Sequence, residues 1–339
     1  MLAIYSGGNS LRMSIKEAMK LVATEGMAPG LKKERIKQQI ERDAKRYNWS
    51  DDSFYGLEPE WQWRVCCAKL QLGDLDWKGW EWREPRAGYD PFEYPKWKGG
   101  PVGRLLVYGE QGLGDEVMFS QIIPETFQYA EEVVIECEPR LANIFRESFG
   151  VQVHGRTDLR DNTWIKEPFD AKVLFGDLCK MFLKTTEDFM PEPYLTPTLK
   201  DKWAKYKGYT AISWRGRQGL LDPEKLRGEK VLSLQYDGDH PDWCEVPDID
   251  LREDIEDVFG ILANVDRLIC VPTSVLHMAG AIGTPVDLIL TPGETGEKGI
   301  HNGINWRFGM GRQMRWHPSV TVYRNWNDYS HNRTVSKAA

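Results

Sequence analysis

Three short stretches of the chain carry residue types that could bind an anion or move a proton. The first, at 109–115, reads Gly-Glu-Gln-Gly-Leu-Gly-Asp and follows the apolar run 105–108. This order predicts a strand, a turn whose glycines adopt positive φ angles, and a helix whose N-terminus attracts an anion. A carboxylate at Asp115 suits a loop that needs a base better than a loop that only holds phosphate. An ordinary acidic residue in the first turn of a helix explains it equally well.

The second stretch, at 273–277, follows an apolar run and begins a predicted helix. The hydroxyls of Thr273 and Ser274 and the free N–H groups of the first helical turn suit a diphosphate. His277 lies one turn further along the same face of the helix. A histidine at this position, taken alone, is more typical of a satisfied core residue.

The third stretch, at 215–219, follows another predicted strand and contains Arg215 and Arg217. Two guanidinium groups on a glycine-rich loop could bind a phosphate through paired hydrogen bonds. Surface arginines on a turn are an equally good explanation. The chemistry of the three stretches therefore depends on whether the fold brings them together.

The chain alternates predicted strands and helices from residue 105 to residue 290. The predicted strands are 105–108, 133–137, 151–154, 209–214, 231–235, 268–271 and 286–290, and the predicted helices are 117–128, 140–149, 254–264 and 275–282. This spacing is typical of parallel sheets built from βαβ units. Two consecutive blocks predict two Rossmann-like domains, in which ligands bind at the carboxyl ends of the strands.

The N-terminal part of the chain has a different pattern. Residues 10–84 predict helices, including helices at 61–72 and 77–83, and residues 85–103 are rich in proline and glycine. We therefore divide the chain into a helical region with its linker at 1–100, an N-terminal Rossmann-like domain at 101–200 and a C-terminal one at 201–339.

Composition narrows the class of protein. The chain has 339 residues, 41% of them hydrophobic, and a net charge of −7, which argues against a general nucleic-acid binder. Its six cysteines form no C-x-x-C pair and several lie in apolar runs, which predicts buried, reduced thiols and a cytoplasmic location. No run approaches the length of a membrane span.

Several motifs together resemble a known family. Residues 72–83, 109–115, 233–235 and 273–283, with the tail at 306–326, resemble bacterial and phage tetratricopeptide-linked glycosyltransferase-like proteins, which are related to heptosyltransferases. The resemblance implies the GT-B fold: two Rossmann-like domains facing across a cleft, here with an N-terminal tetratricopeptide-like cap. It also implies an enzyme that transfers a sugar from a nucleotide-sugar donor to an acceptor hydroxyl, with no metal and no cofactor.

The resemblance also implies roles for residues at matching positions. Asp115 would be the general base, and Gln111, Gly112 and Gly114 would form the acceptor-side loop. The residues implied in donor binding are Arg215, Arg217, Gln235, Thr273, Ser274 and His277. The resemblance does not identify the acceptor, and a saccharide, a lipid-linked sugar, a protein and modified DNA all remain alternatives.

Two alternatives remain. Relatives typically carry Val-Asp-Thr where this chain has Val271-Pro272-Thr273, and proline removes both a carboxylate and a backbone N–H. This departure favours a non-catalytic protein of the same fold that binds a nucleotide sugar or glycan, or acts as a scaffold. The other alternative is a metal-dependent transferase using Asp237 and Asp239, although acids around a glycine are common in turns.

Overall fold

The computed structural model describes residues 59–83, 92–110, 112–156, 163–216, 219–290, 306–309 and 311–338. The chain divides into two compact units. One comprises Met1–Arg83 and His301–Met310, and the other comprises Glu84–Ile300 and Gly311–Ala339. The helices predicted before residue 59, and the part of the predicted linker at 85–91, lie outside the described residues.

The first unit contains helix α1 (Pro59–Leu72), close to the helix predicted over 61–72. The helix predicted over 77–83 is instead a 3₁₀ turn at Trp80–Trp82, because the preceding Gly79 has a left-handed backbone with φ of 88°. Trp80 is fully buried, and the centroid of its ring lies 5.2 Å from that of Trp306. The tetratricopeptide character of this region, and its role as a cap, stay predictions.

The second unit begins with a four-stranded parallel sheet. Its strands lie in the order β3-β2-β1-β4, and they are β1 (Val102–Tyr108), β2 (Ala130–Cys137), β3 (Gln152–Gly155) and β4 (Ala171–Leu174). The helices that accompany them are α2 (Leu113–Ser120), α3 (Ala142–Phe149) and α4 (Asp177–Phe182). The chain runs outward from β1 to β3 and then returns to the other side of β1. The strand order therefore reverses between β1 and β4, where parallel sheets open a crevice at the carboxyl ends of their strands.

A five-stranded parallel sheet follows, with the strand order β11-β10-β9-β5-β8. Its strands are β5 (Thr210–Ser213), β8 (Val231–Ser233), β9 (Arg267–Cys270), β10 (Val286–Ile289) and β11 (Val320–Tyr323). Between β5 and β8 lies a short antiparallel ladder of β6 (Arg215–Gly216) and β7 (Gly219–Leu220). The helices are α5 (Ile255–Leu262), α6 (Ser274–Ala281) and α7 (Trp326–Ala338). Here the strand order reverses between β5 and β9.

The prediction of an α/β chain with two parallel sheets is confirmed. Strand β4 was missed because Lys172 interrupts its apolar pattern. This lysine is nevertheless buried, and its ammonium group donates a hydrogen bond to the carbonyl oxygen of Phe92. Strand β11 was missed as well. It is only four residues long, and a threonine lies between its two valines.

Two predicted helices are shorter than expected and are preceded or followed by 3₁₀ turns. The helix predicted over 117–128 ends at Ser120 and continues as a 3₁₀ turn at Ile123–Thr126. Pro124 has no N–H to donate, which prevents a continuous α-helix. The helix predicted over 140–149 is preceded by a 3₁₀ turn at Pro139–Leu141 and begins at Ala142.

The interior of the second unit is apolar on both faces of its sheets. Leu105, Leu106 and Val107 of β1 are fully buried, as expected for parallel strands covered by helices on both sides. The six cysteines have free thiols, and five of them are buried. Among the described residues, no helix combines the length and the apolar character needed to cross a membrane.

Candidate functional site

The loop after β1 lies where the first sheet reverses its strand order. None of Gly109, Gly112 and Gly114 has a positive φ, so the expected use of these glycines for a left-handed backbone is wrong. Gly109 is instead required because there is no room for a side chain at this position. A Cβ there would lie 2.3 Å from Nη2 of Arg156 and 2.3 Å from Oε1 of Glu116, which is far inside van der Waals contact.

A buried ionic network holds this loop. Arg156, just after β3, donates from Nη2 to Oε1 of Glu116 at 2.9 Å and from Nε to Oε1 of Glu136 at 2.7 Å. Both carboxylates are almost fully buried. They also accept backbone N–H groups: Glu116 from Glu110 at 2.9 Å, and Glu136 from Gly109 at 3.2 Å. The network therefore joins the loop to the carboxyl ends of β2 and β3.

Glu110 extends this support across the sheet. Its buried carboxylate accepts the backbone N–H of Gly176 at 2.7 Å. Gly176 follows β4, so this one bond joins the two loops on either side of the strand reversal.

Burial is the main reason that the pKa of Glu116 is raised to about 8, with the Glu136 charge reinforcing the shift and Arg156 opposing it.

Sequence reasoning missed these supporting residues. Glu136 lies inside the apolar run of β2, between Ile135 and Cys137, and an acid there must be either paired or protonated. Glu116 likewise begins the buried part of α2. Acids inside otherwise apolar elements were the available signal, but the sequence does not identify Arg156 as their partner.

Asp115 lies in the first turn of α2, whose N-cap is Gly112. Its side chain is half-buried. The neighbouring Gly114 packs directly on helix α6: a Cβ on Gly114 would lie 3.2 Å from Cδ2 of His277 and 3.3 Å from the Cα of Ser274. The first turns of α2 and α6 are therefore in contact, and two of the three stretches singled out in the sequence meet there. Gln111 lies outside the described residues.

The start of α6 has an unsatisfied hydroxyl. Thr273 is the N-cap, with an extended backbone, but its side chain forms no capping bond. Its Oγ1 is buried and has no hydrogen-bond partner, a state that costs about 1–3 kcal/mol. Pro272 precedes the N-cap, so its missing N–H is not one of those in the first helical turn.

The third stretch lies against the same helix end. A Cβ on Gly216 would lie 2.7 Å from the carbonyl oxygen of Pro272 and 2.8 Å from Cγ2 of Thr273, so β6 runs closely over the start of α6. The guanidinium of the adjacent Arg215 is half-buried. Within the part of the chain that the structure describes, it forms no hydrogen bond or ion pair. Arg217 lies outside the described residues.

Gln235 fixes the backbone that carries Arg215. Its side chain is fully buried, and Oε1 accepts the N–H of Arg215 at 2.9 Å. Its Nε2 donates to the carbonyl oxygen of Arg215 at 3.1 Å and to Oδ1 of Asp237 at 2.6 Å. The amide is thus engaged inside the protein, and contact between Gln235 and a donor stays a prediction.

Asp237 and Asp239 were the residues considered for a metal. Within the described ranges, no group of three or more histidine, cysteine, aspartate and glutamate side chains is arranged to hold a metal ion. The carboxylate of Asp237 instead accepts the bond from Gln235.

Comparisons with known proteins give weak likenesses. No protein-family model matches the chain. The chain is similar to protein FlbA of Caulobacter vibrioides, with 26% identity over 314 residues that cover 75% of this chain and 50% of FlbA. The chain thus spans about half the length of this curated relative.

Among solved structures, three resemble the chain. Heptosyltransferase WaaC of E. coli with ADP has a TM-score of 0.43 and 11% identity, covering 69% of this chain and 97% of that one. A glycosyl transferase family 9 protein from Veillonella parvula has a TM-score of 0.42 and 9% identity, with coverages of 67% and 88%. The iron-containing dodecameric glycosyltransferase TibC of enterotoxigenic E. coli has a TM-score of 0.40 and 12% identity, with coverages of 57% and 59%. Matches at this level support no functional assignment.

The packing around the loop predicts a contrast between two glycines. Gly109→Ala should lower the free energy of unfolding by about 1–3 kcal/mol, because the new methyl group forces Arg156 and Glu116 apart. Gly112→Ala is the matched control, since nothing lies within 4 Å of its Cβ position. Urea denaturation of both variants measures the difference. Equal stabilities would mean that the ionic network does not hold the loop.

The raised pKa of Glu116 predicts a pH dependence. Between the ordinary glutamate pKa near 4.5 and the folded value of about 8, the folded chain keeps a proton that the unfolded chain has lost. The Glu116 contribution is therefore fully present below pH 4.5 and is lost as the pH rises to 8, by up to about 1.4 kcal/mol per pH unit. Glu116→Gln has no carboxyl group to titrate, so its unfolding free energy should rise relative to that of wild type as the pH increases across this range. Glu131→Gln is the control, because Glu131 is exposed. If the difference in unfolding free energy from wild type is independent of pH for both variants, the raised pKa of Glu116 is refuted.

Proposed function

We propose that this chain is a GT-B glycosyltransferase that transfers a sugar from a nucleotide-sugar donor to an acceptor hydroxyl, with Asp115 as general base and without a metal. The observation that carries the proposal is the packing of Gly114 on Ser274 and His277. This contact brings the turn that carries Asp115 against the N-terminus of α6, and both lie at carboxyl ends of parallel strands. Such edges are the usual ligand sites of open α/β sheets.

The donor side of the proposed site combines a buried hydroxyl that has no partner with a nearby half-buried guanidinium. The hydroxyl of Thr273 is buried without a partner, and the guanidinium of Arg215 lies on the strand that packs over it. The first turn of α6 adds backbone N–H groups and the positive end of the helix dipole. A diphosphate would satisfy all three at once, and Ser274 and His277 lie on the same helix end.

The acceptor side lies around Asp115. In the proposed reaction, the Asp115 carboxylate removes the proton of an acceptor hydroxyl as its oxygen bonds to the anomeric carbon. The bond between that carbon and the diphosphate oxygen breaks, and its electrons leave with the nucleoside diphosphate. Arg215 balances the resulting negative charge, which is the kind of preorganised stabilisation that lowers such barriers. The space beside Gly112 is open for an acceptor.

A non-catalytic role is the second candidate, and Pro272 favours it. Proline stands where relatives of the resembled family carry a carboxylate. If that carboxylate takes part in turnover, this chain would bind a nucleotide sugar or a glycan without transferring the sugar. Binding without turnover in the experiments below would select this alternative.

The donor side predicts that a nucleoside diphosphate raises the thermal stability of the chain. A ligand at 100 times its dissociation constant adds about 2.7 kcal/mol to the free energy of unfolding. Arg215→Gln should weaken the binding of ADP, UDP or GDP by about 10- to 100-fold, as expected for one charge-assisted hydrogen bond. Arg227→Gln is the control, because Arg227 is exposed in a surface ion pair. If no diphosphate shifts the melting temperature of wild type, the proposed donor site is wrong.

The acceptor side predicts that Asp115 is needed for turnover and not for donor binding. Asp115→Asn should reduce the release of nucleoside diphosphate from its sugar conjugates by about 10²- to 10⁴-fold, and should leave the thermal shift with diphosphate unchanged. The measurement is transfer of radiolabelled sugar from ADP-, UDP- and GDP-sugars to a panel of saccharides, with and without EDTA. The exposed Asp201→Asn serves as control.

Each outcome of this assay decides between the candidates. Full turnover by Asp115→Asn would exclude the carboxylate as the base. Loss of turnover with EDTA would favour the metal-dependent alternative with Asp237 and Asp239. Diphosphate binding with no turnover by wild type would support the non-catalytic role.

A further inference from the structure

A second histidine lies behind His277. His317 is fully buried against helix α6, at a point where the absence of a side chain on Gly280 lets it approach; a Cβ there would lie 2.4 Å from Cγ of His317. Its Nε2 lies 3.1 Å from Nδ1 of His277. The ring of Tyr194 is stacked at 6.1 Å on another side. The remaining nitrogen of His317, Nδ1, is buried without a hydrogen-bond partner.

The two facing nitrogens can share only one proton when both rings are neutral. Burial and the neighbouring His277 keep the pKa of His317 well below its usual value, so His317 is neutral near pH 7. Either His317 donates from Nε2 to Nδ1 of His277, or His277 donates from Nδ1 to Nε2 of His317. The two arrangements differ in which nitrogen of His277 carries its proton.

Two arguments favour the same arrangement. If His277 donated, the proton of His317 would be on Nδ1, and a buried N–H would have no acceptor, which is rarely tolerated in folded proteins. That arrangement would also put both rings in the tautomer with the proton on Nδ1, which is the less stable form of a free neutral imidazole side chain. If His317 donates, both rings keep the more stable tautomer and no N–H is left unpaired at His317.

We infer that His317 is a positioning residue that holds His277 with its proton on Nε2. The carbon Cδ2 of His277 lies 3.2 Å from the Cβ position of Gly114. Because Nε2 is bonded to Cδ2, its N–H belongs to the ring edge nearest the first turn of α2, which carries Asp115. This makes His277 a hydrogen-bond donor on that side. Resting on the proposed function, the group it would bind is a phosphate oxygen of the donor.

The tautomer can be measured directly in the full chain without any ligand. Long-range ¹H–¹⁵N correlation spectra of histidine-labelled protein report which ring nitrogen carries the proton. The signals of His277 are assigned by their loss in His277→Gln. We expect the proton of His277 on Nε2 and that of His317 also on Nε2. A proton on Nδ1 of His277, or on both of its nitrogens, would overturn the inference.

Variants of His317 separate positioning from packing. His317→Gln keeps an N–H donor near Nδ1 of His277 and should preserve the tautomer, whereas His317→Phe fills the space without a donor and should give a mixture of tautomers. His331→Gln, at an exposed histidine, is the control. An unchanged His277 tautomer in His317→Phe would refute the role of His317. If the phenylalanine variant does not fold, the wild-type spectrum still decides the proton arrangement.

A binding measurement tests whether the tautomer of His277 matters at the proposed site. His317→Phe should weaken the binding of a nucleoside diphosphate by about fivefold, the effect of one ordinary hydrogen bond, and His317→Gln should restore it. Failure of wild type to bind any diphosphate would refute the proposed function and leave the tautomer result intact. Equal affinities for both variants would refute the contact between His277 and the ligand.

Discussion

The geometry of the proposed site depends on one buried interaction, the contact of Arg156 with Glu116 and Glu136. Two carboxyl groups and one guanidinium in an apolar interior are costly to bury unless further hydrogen-bond donors are supplied. The loop after β1 supplies them through the N–H groups of Gly109 and Glu110. The network therefore requires this loop conformation, and the loop in turn sets where α2 begins. Asp115 is held near α6 because buried charge beneath it leaves few other arrangements.

In the second sheet, a neutral side chain holds the loop at the strand reversal. Gln235 lies two residues after β8, and Glu136 is the residue before the last one of β2. The strand β8 lies beside β5, and β2 lies beside β1, so each side chain holds the loop that follows the neighbouring strand. Gln235 binds both the N–H and the carbonyl oxygen of Arg215, whereas Glu136 binds the N–H of Gly109. In both sheets, a buried polar group on the neighbouring strand fixes the loop at the strand reversal. The first sheet uses a carboxyl group, which also binds the guanidinium of Arg156, whereas the second sheet uses an amide.

The fold class followed from the sequence because parallel strands buried on both faces give continuous apolar runs. Of the candidate residues, Asp115, Ser274, His277, Thr273 and Arg215 lie on loops or helix ends that meet in the structure. What the sequence could not provide was the contacts between distant residues. Arg156 and Glu116 are 40 positions apart, as are His317 and His277, and only the packing of the elements brings each pair together. Lys172 misled the strand prediction for the same reason, since its partner is the carbonyl oxygen of Phe92, 80 positions away.

Close approach of backbones explains why small residues recur at this site. Gly114 allows α2 to touch α6, Gly216 allows β6 to cover the start of α6, and Gly280 allows His317 to reach His277. These contacts surround the start of α6, where the buried hydroxyl of Thr273 has no hydrogen-bond partner. A side chain at Gly216 or Gly280 would clash with the groups packed against it, and one at Gly114 would force its neighbours on α6 to shift by a few tenths of an ångström. The glycines thus act through the distances between polar groups, and the unusual backbone angles first expected of them are not needed.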